Sequence, residues 1–241
     1  MKRTAQVLVG ALVVAGLISA YYYLRPGGRS SPRLSRVLQY IRNPQSNPHW
    51  AVRAGERCPD APFVFPTDGY IGFLWDDSFR PGHRHSGLDI FGGAQPGRTP
   101  VVAAYNGYLT RLADWKSTVI LRIPSDPLHP GRQIWTYYTH MANDQGDSLV
   151  APEFPPGTTE VFVRAGSLLG SQGNYSGTAG NPTGIHLHFS IVKDDGQGGF
   201  LNELEIENTL DPSPYFNLTL NANHHPDAIP VCTPSTVGWQ P

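Results

Sequence analysis

The run Ile185-His186-Leu187-His188-Phe189-Ser190-Ile191-Val192 is rich in β-branched and aromatic residues and reads as a strand. Side chains alternate across a strand, so His186 and His188 share one face while Ile185, Leu187 and Phe189 share the other. Two imidazoles then stand together above an apolar layer. Neutral imidazole is both a zinc ligand and a base near pH 7, so such a pair suits a metal site or a proton-transfer site. By itself H-x-H is a weak signal, and a chance surface pair explains it more readily.

Outward from this run, short β-prone segments recur at residues 69–74, 101–104, 108–112, 118–123, 133–138, 160–163 and 168–170, alternating with Gly, Pro, Asn and Asp punctuation. No long helical period interrupts them, which predicts an antiparallel all-β domain. The 26 glycines and 23 prolines, with 11% aromatic residues, fit a loop-rich β protein. A chain of 241 residues holds one full domain plus extras. With 18 basic against 19 acidic residues, the net charge of −1 offers no excess to neutralise phosphates, which argues against nucleic acid as a partner.

The ends read differently. Lys2 and Arg3 precede an uncharged, largely aliphatic run, so residues 1–24 are expected to be a signal anchor or a signal peptide that takes the chain to or across a membrane. Ile18-Ser19-Ala20 matches a cleavage site poorly and Tyr21, Tyr22 and Tyr23 resemble an interfacial belt, which favours an uncleaved anchor. Arginines 25, 29, 33, 36 and 42 follow the run, so charge bias alone does not place its N-terminus inside. Residues 25–57 read as a linker containing a short amphipathic helix, with Leu34, Val37, Leu38 and Ile41 on one face and Pro44 as its stop. That face is expected to pack on the following domain, with a membrane-surface role as the alternative. Residues 217–241 form a Pro- and Asn-rich tail. Cys58 and Cys232 bracket the β-rich region, and export to an oxidising compartment predicts a disulfide between them.

The remaining histidines differ in context. His49, His129, His224 and His225 lie in turns or the tail and are expected to be solvated. His85-Ser86-Gly87-Leu88-Asp89 supplies a second half-site: the even spacing of His85 and Asp89 brings both to one side of an extended chain, and Gly87 leaves room for a ligand or another backbone. With a histidine from the other strand this makes three N/O ligands, the count that leaves zinc an open position for water. His140 closes the apolar run ending Tyr138-Thr139. No H-E-x-x-H, G-x-S-x-G or Walker pattern is present.

The order H-x-G-x-D, Y-x-H, H-x-H resembles the lysostaphin-type zinc endopeptidases, β-sheet peptidoglycan hydrolases also called LytM-domain proteins. The resemblance extends to Gly97-Arg98-Thr99-Pro100-Val101-Val102-Ala103-Ala104 with Gly107, to Val163-Arg164-Ala165-Gly166 with Leu168-Leu169-Gly170, and to Leu210-Asp211-Pro212, covering residues 62–216. It implies a grooved antiparallel sheet or sandwich built on a duplicated hybrid motif, with a zinc endopeptidase domain at residues 58–216. It further implies that one zinc ion is held by His85, Asp89 and His188, while His140 and His186 flank the open position as catalytic groups. His83 is left as a rim residue. The implied substrate is peptidoglycan peptide, cut at cross-links or stems outside the cytoplasm. The alternative is a catalytically silent wall-binding or hydrolase-activator module on the same fold. A histidine base predicts that activity falls on acidification through about pH 6 to 7. An insertion at 124–132 and a Gly-rich loop at 173–184 are both expected near the groove rim.

Overall fold

A computed structural model describes residues 32–78, 82–93, 95–224 and 229–232. The expected signal segment lies outside these residues. Among the described residues, no helix is long and apolar enough to cross a membrane.

The large sheet runs in the order β1 (Ala51–Val52), β2 (Gly69–Phe73), β3 (Leu88–Phe91), β10 (Leu187–Lys193), β7 (Ile134–Thr139), β6 (Val119–Ile123), β5 (Gly107–Thr110), β8 (Val161–Val163), with β11 (Thr209–Leu210) also paired to β10. Its neighbours are antiparallel throughout. A two-stranded sheet joins β4 (Pro100–Val102) to β9 (Leu168–Ser171). Leu88 and Ile90 of β3, Val119, Leu121 and Ile123 of β6, Ile134 and Tyr138 of β7, and Leu187, Phe189 and Ile191 of β10 all enter one buried cluster with Val101 and Leu169 of the small sheet. The small sheet thus packs on one face of the large one. The period of two leaves Asp89, Tyr137, Thr139, His188 and Ser190 for the opposite face.

Eight expected strands are present with ends shifted by up to two residues. Three were not anticipated: β1 and β11, of two residues each, and β3, whose four residues are all buried and so show no polar alternation. The helix expected in the linker is α1 (Pro32–Arg42), yet its buried face is rotated from the one anticipated. Val37 and Tyr40 are buried with Tyr70 and Phe91, and Ile41 packs against them, while Leu34 and Leu38 stay 37% and 45% exposed. Aromatic packing on β2 decides the face, because Tyr40 lies 5.7 Å from Tyr70 ring to ring.

The Cys58–Cys232 disulfide is formed, and Cys232 packs against the core that contains Cys58. Leu220 is fully buried in the same core. The insertion at 124–132 departs from expectation. Its buried Asp126 accepts hydrogen bonds from Arg132 and from Tyr215 Oη, which ties the insertion to α2 (Ser213–Phe216). Among the described residues, none of its members lines the groove.

Candidate metal centre and active site

Three side chains converge on the sheet's open face. The β3–β10 register sets His188 directly opposite Asp89, and a reciprocal backbone pair, His85 N–H to Asp77 and Asp76 N–H to His85, fixes His85 just before β3. Gly87 permits the approach that brings these segments together. A Cβ there would lie 2.9 Å from the Phe189 carbonyl carbon. The space seen at Gly87 in the sequence is filled by another backbone.

The donor atoms form a tight triangle: His85 Nε2 to Asp89 Oδ1 3.0 Å, His85 Nε2 to His188 Nδ1 3.1 Å, and His188 Nδ1 to Asp89 Oδ1 2.8 Å. Their outer atoms fix what the triangle can hold. His85 Nδ1 lies 2.8 Å from the Leu74 carbonyl oxygen, an acceptor, so that nitrogen carries the proton and Nε2 presents a lone pair. His188 Nε2 lies 2.7 Å from Glu203 Oε1 and donates to it, so Nδ1 is the nitrogen that would offer a lone pair to a metal, in exchange for its proton. Two ring nitrogens and a carboxylate oxygen facing one another call for positive charge between them, a metal ion or a proton. His85, Asp89 and His188, all buried, can therefore hold a metal ion.

The electrostatics show the same demand for positive charge, which a second proton on the His188 ring meets by donating from Nδ1 to Asp89 Oδ1. Burial alone would raise Asp89, but His85 and His186 hold its carboxyl well below the usual range. Burial disfavours charge on His188, yet Glu203 and Asp89 outweigh it and hold the ring up at about 10. Burial likewise opposes the charge on Glu203, and His188 overcomes it to bring that carboxyl down to about 2.

His140 and His186 lie beside the triangle, their ring centroids 4.5 Å apart. His140 follows β7 in a left-handed backbone conformation (φ 70°), which breaks the strand alternation and turns its ring towards His186. Its Nδ1 lies 2.7 Å from the Tyr175 carbonyl oxygen, and His186 Nδ1 lies 2.6 Å from that of Gly184. Both Nδ1 atoms thus donate, and both Nε2 atoms keep a lone pair. Burial and the neighbouring His186 push His140 down to about 4; burial also lowers His186. Both rings are neutral at pH 7.

The groove above these residues has a volume of about 630 Å³. The 173–184 loop lines it through Tyr175, Ser176, Gly177 and Thr183, as its sequence position suggested. His83 also lines the groove, outside the metal triangle. His49, His129 and His224 are exposed, and His225 lies outside the described residues.

Glu203 was not anticipated. It sits in a polar loop where nothing in the local sequence marks it. The 194–200 hairpin, closed by the Asp194–Phe200 bridge, carries the chain back across β10 and sets Glu203 behind His188. Next to it, Leu204 is 83% exposed on the groove wall.

No family model and no curated protein matches the sequence. Among solved structures, the catalytic domain of lysostaphin from Staphylococcus simulans matches at 21% identity over 62% of this chain and 90% of its own, with a TM-score of 0.39. Lysostaphin itself matches at 17% identity, over 69% of this chain and 54% of its own, with a TM-score of 0.39. Csd3 of Helicobacter pylori matches at 20% identity over 64% of this chain, TM-score 0.39, and the chain spans only 34% of its length. These structures are what the chain is similar to; independently of them, its own His85, Asp89 and His188 form a cluster able to hold a metal ion.

Proposed function

We propose that this chain is an extracytoplasmic zinc metalloendopeptidase that hydrolyses peptide bonds in peptidoglycan. The observation that carries the reading is the meeting, in one groove, of three converging ligand atoms and two neutral histidines whose Nε2 atoms carry lone pairs, that of His186 lying 3.6 Å from Asp89 Oδ1. The donor set of two imidazoles and one carboxylate suits zinc with an open fourth position. When bound, zinc supplies a Lewis acid and acidified water. His85, Asp89 and His188 hold it, and His140 and His186 handle protons and charge. A neutral Nε2 accepts the proton of the attacking water, and the protonated Nε2 then donates towards the departing amine; the neighbouring ring stabilises negative charge on the scissile oxygen once its own Nε2 has taken a proton from solvent. Each ring is locked by its Nδ1–H bond to a carbonyl, so the base role requires no change of tautomer, whereas charge stabilisation requires Nε2 to be protonated.

Peptidoglycan as substrate rests on the motif order H-x-G-x-D, Y-x-H, H-x-H, and location outside the cytoplasm on the disulfide and the apolar N-terminal run. Residues 58–216 constitute the peptidase domain, residues 1–24 an export or anchoring segment that brings the chain to the membrane. All five functional positions are filled, which disfavours the silent activator reading. The decisive experiment is mass spectrometry of fragments from defined muropeptides, incubated with zinc-loaded and chelator-treated protein. Zinc-dependent release of peptide fragments is expected. Intact muropeptides with stoichiometric zinc bound would leave the activator reading in its place.

A further inference from the structure

We infer that Glu203 is a positioning residue for the metal ligand His188, holding its ring in the tautomer and orientation that aim Nδ1 at the metal. The inference deepens the proposed function and rests on its metal site. Glu203 is buried. Three donors converge on its Oε1: His188 Nε2 at 2.7 Å, Ser86 Oγ at 2.7 Å and Ser190 Oγ at 3.2 Å.

Each donor comes from a segment that builds the site. Ser190 lies two residues after His188 on the same face of β10, and Ser86 is the neighbour of His85. The two hydroxyls orient the carboxylate, and the carboxylate orients the imidazole. A histidine whose outer nitrogen donates to a carboxylate is a better ligand at its inner nitrogen, because the tautomer is fixed and the ring becomes more basic. His85 has a carbonyl in this place, that of Leu74. His188 alone among the two imidazole ligands has a charged partner. Its Oε1 meets the outer nitrogen of that ring, so it holds a ligand in place.

The test compares wild-type protein with Glu203→Gln, Glu203→Ala and Asn202→Ala. Asn202 organises the same loop through Glu205 and the Leu204 N–H but does not touch the Glu203 carboxylate. Zinc affinity is read by competition with a chromophoric chelator, and the tautomer by ¹⁵N-resolved NMR of the imidazoles in zinc-loaded protein. Glu203→Ala is expected to weaken zinc by about 10- to 100-fold and to expose the His188 Nε2–H to rapid exchange with water. Glu203→Gln keeps an acceptor oxygen and the side-chain volume, so its affinity falls between the two. Asn202→Ala binds zinc as wild type does. Equal affinity and an unchanged Nε2–H signal in Glu203→Ala overturn the assignment, as does an Asn202→Ala loss as large as that of Glu203→Ala. Absence of zinc from wild-type protein overturns the metal-site reading beneath it, a separate result.

Discussion

Gly87→Ala tests how the metal triangle is assembled without touching a ligand. The new methyl would lie 2.9 Å from both the Phe189 carbonyl carbon and Ser190 Cβ, and closer still to the Phe189 carbonyl oxygen. Carbon atoms settle at about 3.5 Å or more, so the segment before β3 and strand β10 must part by at least roughly 0.6 Å, and the nearer carbonyl oxygen demands more. Backbone on one side and a paired strand on the other leave no flexible side chain to absorb the shift. Overpacking of this kind costs about 1–3 kcal/mol, which for a domain of this size lowers Tm by roughly 2–12 °C. The larger effect falls on the site. His85 and Asp89 flank Gly87 in sequence while His188 belongs to the opposing strand, so the strain acts across the 3.1 Å and 2.8 Å edges of the triangle. Functional constellations tolerate displacements of about 0.5 Å. Zinc occupancy after dialysis is therefore expected to fall below stoichiometry, measured by atomic emission alongside a thermal melt. Full zinc occupancy with Tm within about 1 °C of wild type would refute the claim that close backbone approach at Gly87 sets the ligand geometry.

His85→Ala, Asp89→Ala and His188→Ala are each expected to lose zinc, whereas His140→Ala and His186→Ala keep it and lose on the order of 10²-fold or more in rate; stoichiometric zinc in His188→Ala would show the ligand set to be wrong. With His140 pushed down to about 4, its neutral form persists well below the ordinary histidine range, so the acid limb of the rate profile moves from the expected pH 6–7 towards pH 4. An acid limb centred near 6.5 with zinc retained would contradict that assignment. The same shift has a stability consequence: unfolded His140 takes up a proton near pH 6.5 while the folded ring does not, so its contribution to stability declines as pH falls from about 6.5 to about 4, visible as a falling Tm. Cys232→Ala removes a link spanning 174 residues, worth about 5 kcal/mol in the chain-entropy model, and should lower Tm by roughly 10–20 °C while initial rate and zinc content stay as in wild type. An unchanged Tm would show that the tail is held by its packing alone.

What the sequence disclosed about the site follows from how local each signal is. His186 and His188 declared a common face through a period of two, and β10 keeps that alternation with Leu187, Phe189 and Ile191 in the core. Gly87 between His85 and Asp89 declared a close approach, though not to what. β3 stayed hidden because both of its faces are buried, so Asp89 could be read only by its spacing from His85. Helix α1 was legible as a helix, but its buried face was not, since the choice between Leu34 and Tyr40 is made by Tyr70 and Phe91 on distant strands. Glu203 had no local signal at all. Its meaning comes from a hairpin that returns across β10 and brings a carboxylate behind a ring fifteen residues earlier in the chain. Of the residues facing the groove, His186 and His188 are readable from a strand pattern, while His85 and His140 sit just outside their strands and Asp89 in an unpatterned one; the carboxylate behind His188 is supplied by the fold, and only the folded register can reveal it.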